Sequence, residues 1–359
     1  MTDTLGISAC SPRGNPPSTV ADRDSDIIND NRIFQAAVAD LNINRAFQTV
    51  AQAGENEPAA ALAQVNQTVA RLLFGSLDPN PRDIAGWVWP RWPDDSVYPD
   101  GALTATVSGS RLAIRGQQFF RTANPKGDTA LLLVRDADPA KGGYFVSLDG
   151  KANIHAGGII FDRTGFQKDE VRAPAPLAAT TLGAIDARTL EHITGYAALV
   201  EELLHAALDF GILQGFSAAA HTHITTRTRP WQGQSLTRAT DDPHLVRRYG
   251  EYIATRHALA ELLTEAREVV AGVAPGTSRQ AFSQAWDAVA AARLFAILAG
   301  RSIINGTIEL LGAGATSQRY GFDCYWRDFT AHGVVYPPYR PAENIGRELV
   351  NNNKREAAV

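Results

Sequence analysis

Residues 309–337 read ELLGAGATSQRYGFDCYWRDFTAHGVVYP. Leu310 and Leu311 close an apolar helical run, and Gly312 and Gly314 then stop it. Glycine is unfavourable inside a helix and well suited to the turn beyond one. A second, short helix is expected to follow, carrying Tyr325, Trp326, Arg327 and Asp328. Working outward, the run from Ala281 to Leu311 is apolar and long, and Thr277 with Gln280 makes a capping-box pattern in front of it. Further upstream, Leu199, Leu203, Ala206, Ala207 and Phe210 keep a 3.6-residue period. From Leu190 nearly to its end the chain therefore reads as a bundle of long helices.

Two other regions precede the bundle. In residues 26–76, Ile33, Ala36, Ala37 and Leu41 share one helical face, and Leu62, Val65, Val69 and Leu72 share another. Pro79, Pro81 and the run Trp87-Val88-Trp89-Pro90 end that region. Residues 100–175 change to strand patterning: Thr104 to Ser108, Leu112 to Thr122, Thr129 to Val134 and Gly143 to Leu148. Short strands separated by turn residues predict a small antiparallel sheet or barrel. The expected division is a tail over 1–25, a reduced N-terminal helical region over 26–85, a β domain over 86–188, a C-terminal helical bundle over 189–350 and a tail over 351–359.

Composition narrows the function. The chain has 359 residues, 45% of them apolar, enough for a substantial core. A net charge of -4 leaves no basic footprint, so nucleic acid and anionic membrane are not expected partners. Cys10 and Cys324 are too few for a disulfide framework, and a reducing, cytoplasmic setting with inert thiols is expected. Residues 1–25 have no basic start and no apolar segment, so no secretory signal is expected. Glu201, Glu202, His205 and Asp209 interrupt the apolar run from Ile193 to Ala220, against a bilayer span and in favour of a helix buried at a subunit interface.

Helices, then short strands, then a long bundle is one element of a resemblance. The others are Arg227-Thr228-Arg229-Pro230-Trp231, Asp241-Asp242-Pro243, Glu309 with Gly312 and Gly314, and Trp326-Arg327-Asp328. Together, over roughly residues 86–350, they resemble the acyl-CoA dehydrogenase superfamily, most closely its flavin-dependent, dibenzothiophene monooxygenase-like branch. The resemblance implies an α+β, mostly α fold with reduced N-terminal helices, a small central antiparallel β domain and a C-terminal helical bundle. It implies reduced FMN or FAD from a separate flavin reductase, a small-molecule substrate, and a homodimer or tetramer. Thr122 would then face the flavin ring. Arg229, with Arg227 second, would hold a flavin phosphate, since a guanidinium fork donates two parallel hydrogen bonds. Trp231, Gly312 and Gly314 would lie against the cofactor. The Arg327-Asp328 pair would tie its helix to the bundle. No dinucleotide fingerprint is present, so NAD(P)H is not expected on this chain.

Departures from the pattern matter as much. Dehydrogenases of this fold that keep their base in this region place a glutamate where Tyr336 stands here, and tyrosine is a weak base at neutral pH. Glu251 is a reserve candidate. The monooxygenase branch carries His-Thr-Leu-His-Asp-Pro, and this chain reads His332-Gly333-Val334-Val335-Tyr336-Pro337. His332 is the acid/base candidate, with Tyr336 second; the competing reading is a packed histidine. His221 and His223 have an H-x-H spacing with no evident third ligand, so no metal site is expected. Two other readings stay open. One is a degenerate, cofactor-free member, either a cyclase-like catalyst or a non-catalytic subunit completing a paralogous partner's site. The last is an acyl-CoA dehydrogenase.

Overall fold

The computed structural model describes residues 40–77, 84–89, 103–108, 111–122, 129–149, 154–156, 169–230, 233 and 235–335, together with 342, 343, 346 and 350. Helix α1 (Ile43–Gly54) starts where the Asn42 side chain accepts a hydrogen bond from the Arg45 N–H at 2.9 Å. It buries Ile43, Phe47, Val50 and Ala51. Helix α2 (Pro58–Phe74) opens on Pro58, whose missing N–H costs nothing in the first turn. Its buried face carries Val65, Val69 and Leu72, with Leu62 half-buried, as the periodicity predicts. Ile33, Ala36 and Ala37 lie outside the described residues.

Seven strands follow: β1 (Ile84–Val88), β2 (Thr104–Ser108), β3 (Arg111–Thr122), β4 (Thr129–Asp136), β5 (Gly143–Asp149), β6 (Ile154–Ala156) and β7 (Asp169–Ile185). The order β1-β3-β2-β4-β5-β7-β6, with β1–β4 and β3–β7 also paired, curls the sheet back on itself. All four expected strands form. The sheet is nevertheless mixed rather than antiparallel: β1 and β2 each pair parallel with β4. Strand β3 runs against both β1 and β2, so β4, which reverses after β3, runs parallel to them. The Trp/Pro-rich segment read as a stop contributes β1. Buried on both faces, β4 alternates between two cores. Ala130, Leu132 and Val134 fill the sheet's own interior, while Leu131 and Leu133 join the large core shared with the helices.

The bundle comprises α3 (Ala187–Thr226), α4 (Pro243–Ala271), α5 (Arg279–Leu311) and α6 (Phe322–Val335). Asp186 caps α3 through the Thr189 N–H at 2.9 Å. Helix α3 is the central element, with Leu199, Leu203, Leu204, Ala206, Ala207 and Leu208 fully buried. By length and composition α3 and α5 could cross a membrane, but 78% of α3's most apolar window is buried inside the molecule. The cap of α5 differs from the expected one. Ser278 accepts from the Ala281 N–H at 3.3 Å, while Thr277 turns back to accept from Ala274 N–H at 2.8 Å. The Thr-x-x-Gln pattern is thus offset by one residue, because Thr277 is spent closing the preceding turn. Gly312 ends α5 at a φ of 82°, as expected of a stop glycine.

Candidate functional site

Glu201, His205 and Asp209 are spaced four residues apart, so α3 presents them on one face. Helix α5 brings Arg293 to that face and the last turn of α6 brings His332. All five residues are at most 1% exposed. His332 Nδ1 lies 2.6 Å from Asp209 Oδ1, and His332 Nε2 lies 3.1 Å from His205 Nδ1. His205 Nε2 is in turn 3.8 Å from Glu201 Oε1. Arg293 pairs with Asp209 through a terminal guanidinium nitrogen, and its Nε lies 3.8 Å from Glu202 Oε2. Burial pushes the His205 ring well below its usual pKa; the neighbouring Glu201 opposes this shift and is outweighed. A continuous string of ionisable groups, Glu201–His205–His332–Asp209–Arg293, therefore runs through the bundle core.

Sequence reasoning picked out His332 alone from this string and placed it after a helix. The helix continues to Val335, so His332 points into the bundle and both its ring nitrogens are engaged. The three α3 members were noticed only as polar interruptions suited to a subunit interface. They face the interior of their own bundle instead, because α5 and α6 supply partners. Their four-residue spacing was the available signal. Arg293 had none, since a lone arginine in an apolar helix reads as a surface residue.

A second feature lies beyond the C-terminal end of α3. Thr228, Arg229, Pro230, Ala239, Asp242, His244, Leu245, Arg248, Gly306, Glu309 and Leu310 line a pocket of about 180 Å³. Arg229 is exposed at this pocket. Asp242 caps α4 by accepting from the His244 N–H at 2.8 Å, so the positive end of a 29-residue helix opens here. Glu309 and Leu310, near the end of α5, line the same pocket. Gly314 follows Gly312 in a short 3₁₀ turn (Ala313–Thr316). Arg227 turns elsewhere, with its guanidinium 5.5 Å from the Tyr320 ring centre. His332 is not among the pocket-lining residues, so the two features are separate.

The remaining candidates are placed as follows. Thr122 ends β3, its backbone paired with Gly86 of β1. Its side chain, Trp231 and Tyr336 lie outside the described residues. Glu251 is at the surface, 2.7 Å from Arg248. His223 is buried edge-on against Tyr320 and Phe322, whereas His221 is exposed beside Tyr249. Among the described residues no group of His, Cys, Asp and Glu suits a metal ion. Arg327 pairs with Asp323 at 3.0 Å, one turn away on its own helix, while Asp328 is buried.

No protein-family model matches the chain. Among characterised proteins it is similar to a dibenzothiophene monooxygenase of Rhodococcus erythropolis, 24% identical over 265 residues, covering 72% of this chain and 55% of that protein. It is also similar to the probable FMNH2-dependent monooxygenase SfnC of Pseudomonas putida, 26% identical over 249 residues, 67% of this chain and 57% of that protein. The chain thus spans about half the length of these relatives. Among solved structures, TdsC of Paenibacillus sp. A11-2 with FMN and indole superposes with a TM-score of 0.67 at 18% identity, over 86% of this chain and 84% of that one. Methanesulfinate monooxygenase MsuC of Pseudomonas fluorescens gives 0.64 at 15% identity, over 87% and 84%. The mostly helical architecture with its small sheet matches these neighbours, so the chain has the acyl-CoA dehydrogenase-like fold and its sequence is similar to that fold's flavin monooxygenases.

Proposed function

We propose that this protein is a flavin-dependent monooxygenase that oxygenates a small organic substrate at nitrogen, sulfur or aromatic carbon. The observation carrying this reading is the similarity to dibenzothiophene monooxygenase across 72% of the chain. The chain's own residues fit the cofactor at one end. The Arg229 pocket offers a phosphate an exposed guanidinium, a histidine and a helix N-terminus, beside the carboxylates of Asp242, which caps that helix, and Glu309, with Arg248 already paired to Glu251. Arg229 would hold that phosphate, with Trp231, Gly312 and Gly314 against the cofactor and Thr122 at the ring. Arg227, held against Tyr320, is the weaker phosphate ligand. Reduced FMN or FAD, delivered by a separate reductase in a cytoplasmic setting, supplies the electrons that activate dioxygen. The protein's part is to bind, to exclude water and to manage protons.

His332 is the proposed acid/base group and Tyr336 the alternative. With Nε2 facing His205 and Nδ1 facing Asp209, His332 would exchange a proton with either, a role internal to the string. A second reading, a cofactor-free catalyst or a subunit supporting a paralogous partner, is favoured by Val335 and Tyr336 standing where the branch has His and Asp. Dehydrogenation ranks last, because the reserve base Glu251 is a surface residue paired with Arg248. The deciding experiment is calorimetric titration with oxidised and reduced FMN and FAD, followed by oxygen uptake with a reductase present. Binding with flavin-dependent oxygen uptake is expected. No binding of either flavin in either redox state hands the protein to the second reading.

A further inference from the structure

Arg248 lines the Arg229 pocket and is held from two sides. Its Nη2 donates to the Tyr252 hydroxyl at 2.7 Å and its Nη1 to Glu251 Oε2 at 2.7 Å. The guanidinium also lies over the Tyr252 ring, 5.1 Å from its centre. The two anchors differ in kind. Tyr252, on α4, is 6% exposed, and its hydroxyl sits in a notch on α5 that exists only because residue 306 is glycine: a Cβ there would collide with that oxygen. Gly306 is itself part of the pocket wall, so the Tyr252 hydroxyl brings the Arg248 guanidinium to that wall. Glu251, by contrast, is not among the pocket-lining residues, and the Arg248 and Glu251 side chains are 41% and 49% exposed. A surface pair of this kind is weak, because water screens it and two long side chains must be held still.

We propose that Arg248 is a second phosphate ligand of the Arg229 pocket, positioned by Tyr252, and that a phosphate entering the pocket takes Nη1 of Arg248 from Glu251. A guanidinium has five N–H donors. The bonds to Tyr252 and Glu251 leave the others unused among the described residues. Arg229 faces the same space of about 180 Å³, exposed and with no ion pair among the described residues. Two planar forks on one small pocket match the several oxygens of a phosphate. Asp242 and Glu309 also line the pocket and oppose an anion. Asp242 is buried and turned to its own helix, accepting from the His244 N–H, so Glu309 is the exposed opposing charge. The exchange is favourable because a charge-assisted bond to phosphate is stronger than an exposed ion pair. Tyr252 holds the guanidinium throughout, so little side-chain freedom is lost on binding. Glu251 occupies Nη1 while the pocket is empty and lowers affinity by competing for it. That the phosphate belongs to a flavin rests on the proposed function, whereas the ligand role of Arg248 does not.

The probes are FMN, riboflavin, which lacks the phosphate, and inorganic phosphate at constant ionic strength. In calorimetry Arg248→Ala is expected to weaken FMN by at least about tenfold and Tyr252→Phe by about three- to tenfold, with riboflavin unchanged in both. A purely structural defect would weaken both flavins alike. Glu251→Gln should tighten FMN by about two- to fivefold, because it frees Arg248 from its ion pair. Gly306→Ala should act as Tyr252→Phe does; if it fails to fold, the phenylalanine variant, which keeps the ring in place, carries the test alone. An FMN-to-riboflavin affinity ratio unchanged in Arg248→Ala overturns the proposal and leaves the flavin reading standing. So does a Glu251→Gln protein that binds FMN no more tightly than the wild type. If the wild type binds no flavin, inorganic phosphate should still raise its thermal midpoint, by less in Arg248→Ala and by more in Glu251→Gln, and the proposal then survives the loss of the proposed function. No flavin binding together with no such phosphate effect, or an equal one in all three proteins, defeats both.

Discussion

At the scale of single residues, the arginines divide by environment. Arg293 is spent inside the core on Asp209, whereas Arg229 stands exposed at a pocket beside a helix N-terminus. A charge-assisted, bidentate contact to phosphate is worth about 1.5–3 kcal/mol. Arg229→Ala is therefore expected to weaken flavin binding about ten- to a hundredfold in calorimetry, and Arg227→Ala to weaken it less. His205 gives a pH signature. Its folded-state pKa lies well below the unfolded 6.5, so above pH 6.5 the ring is neutral in both states and its contribution is fully present. As pH falls below 6.5 the unfolded chain takes up a proton that the folded one refuses. The contribution is then lost at up to roughly 1.4 kcal/mol per pH unit. Urea unfolding of the wild type and His205→Gln should show their stability difference shrinking between pH 7 and pH 5. A pH-independent difference would mean that the fold leaves the ring's pKa unshifted, and one that grows toward pH 5 would mean that the ring is charged in the fold.

At the scale of elements, the crossing of α1 over α3 depends on the absence of side chains. A Cβ added at Gly215 would sit 2.0 Å from the Glu55 carbonyl oxygen, and one at Gly211 would sit 2.2 Å from that of Ala51. Backbone cannot give way as a flexible side chain can, so Gly215→Ala must separate the two helices. A loss of about 1–3 kcal/mol is expected in thermal or urea unfolding. Gly250, on α4, has open space where its Cβ would be. Gly250→Ala should stabilise by roughly 0.5–1 kcal/mol, because it lowers the entropy cost of the helix without a clash. Equal effects of the two substitutions would refute the close-crossing account. The periodicity of α2 and α3 was legible in sequence, as were β2 to β5, because burial on one face imposes a repeat. The close approach of α1 was not legible, since glycine inside a helix is ordinarily only a weak point.

At the scale of the molecule, α5 is apolar along its length, yet only 44% of its most apolar window is buried within this chain. Leu298 on α5 and Val334 and Trp326 on α6 are 56%, 61% and 45% exposed. Exposed apolar area of this kind marks an association surface. A homodimer or tetramer is the expected state, and light scattering at micromolar concentration checks it; a monomer would contradict it. The same helix faces both ways, since Arg293 on its inner side closes the Asp209 end of the string.

By itself the sequence determined the class of fold. The apolar period changes from helical to alternating near residue 100 and back near residue 190, and such periods are local properties that burial writes into neighbouring residues. It determined the stop at Gly312 and the helix carrying Trp326 and Asp328 for the same reason. It also showed Arg229 in a motif and His332 near a lost partner. What it could not contain is which side chains 84 to 127 positions apart meet. His205, Asp209, Arg293 and His332 belong to three helices, and only packing those helices brings 209 to 293, 209 to 332 and 205 to 332. Tertiary structure thus decided that His332 is an internal link rather than an exposed acid. A buried charge demands a partner, and that partner is supplied by the fold, not by neighbours in the chain.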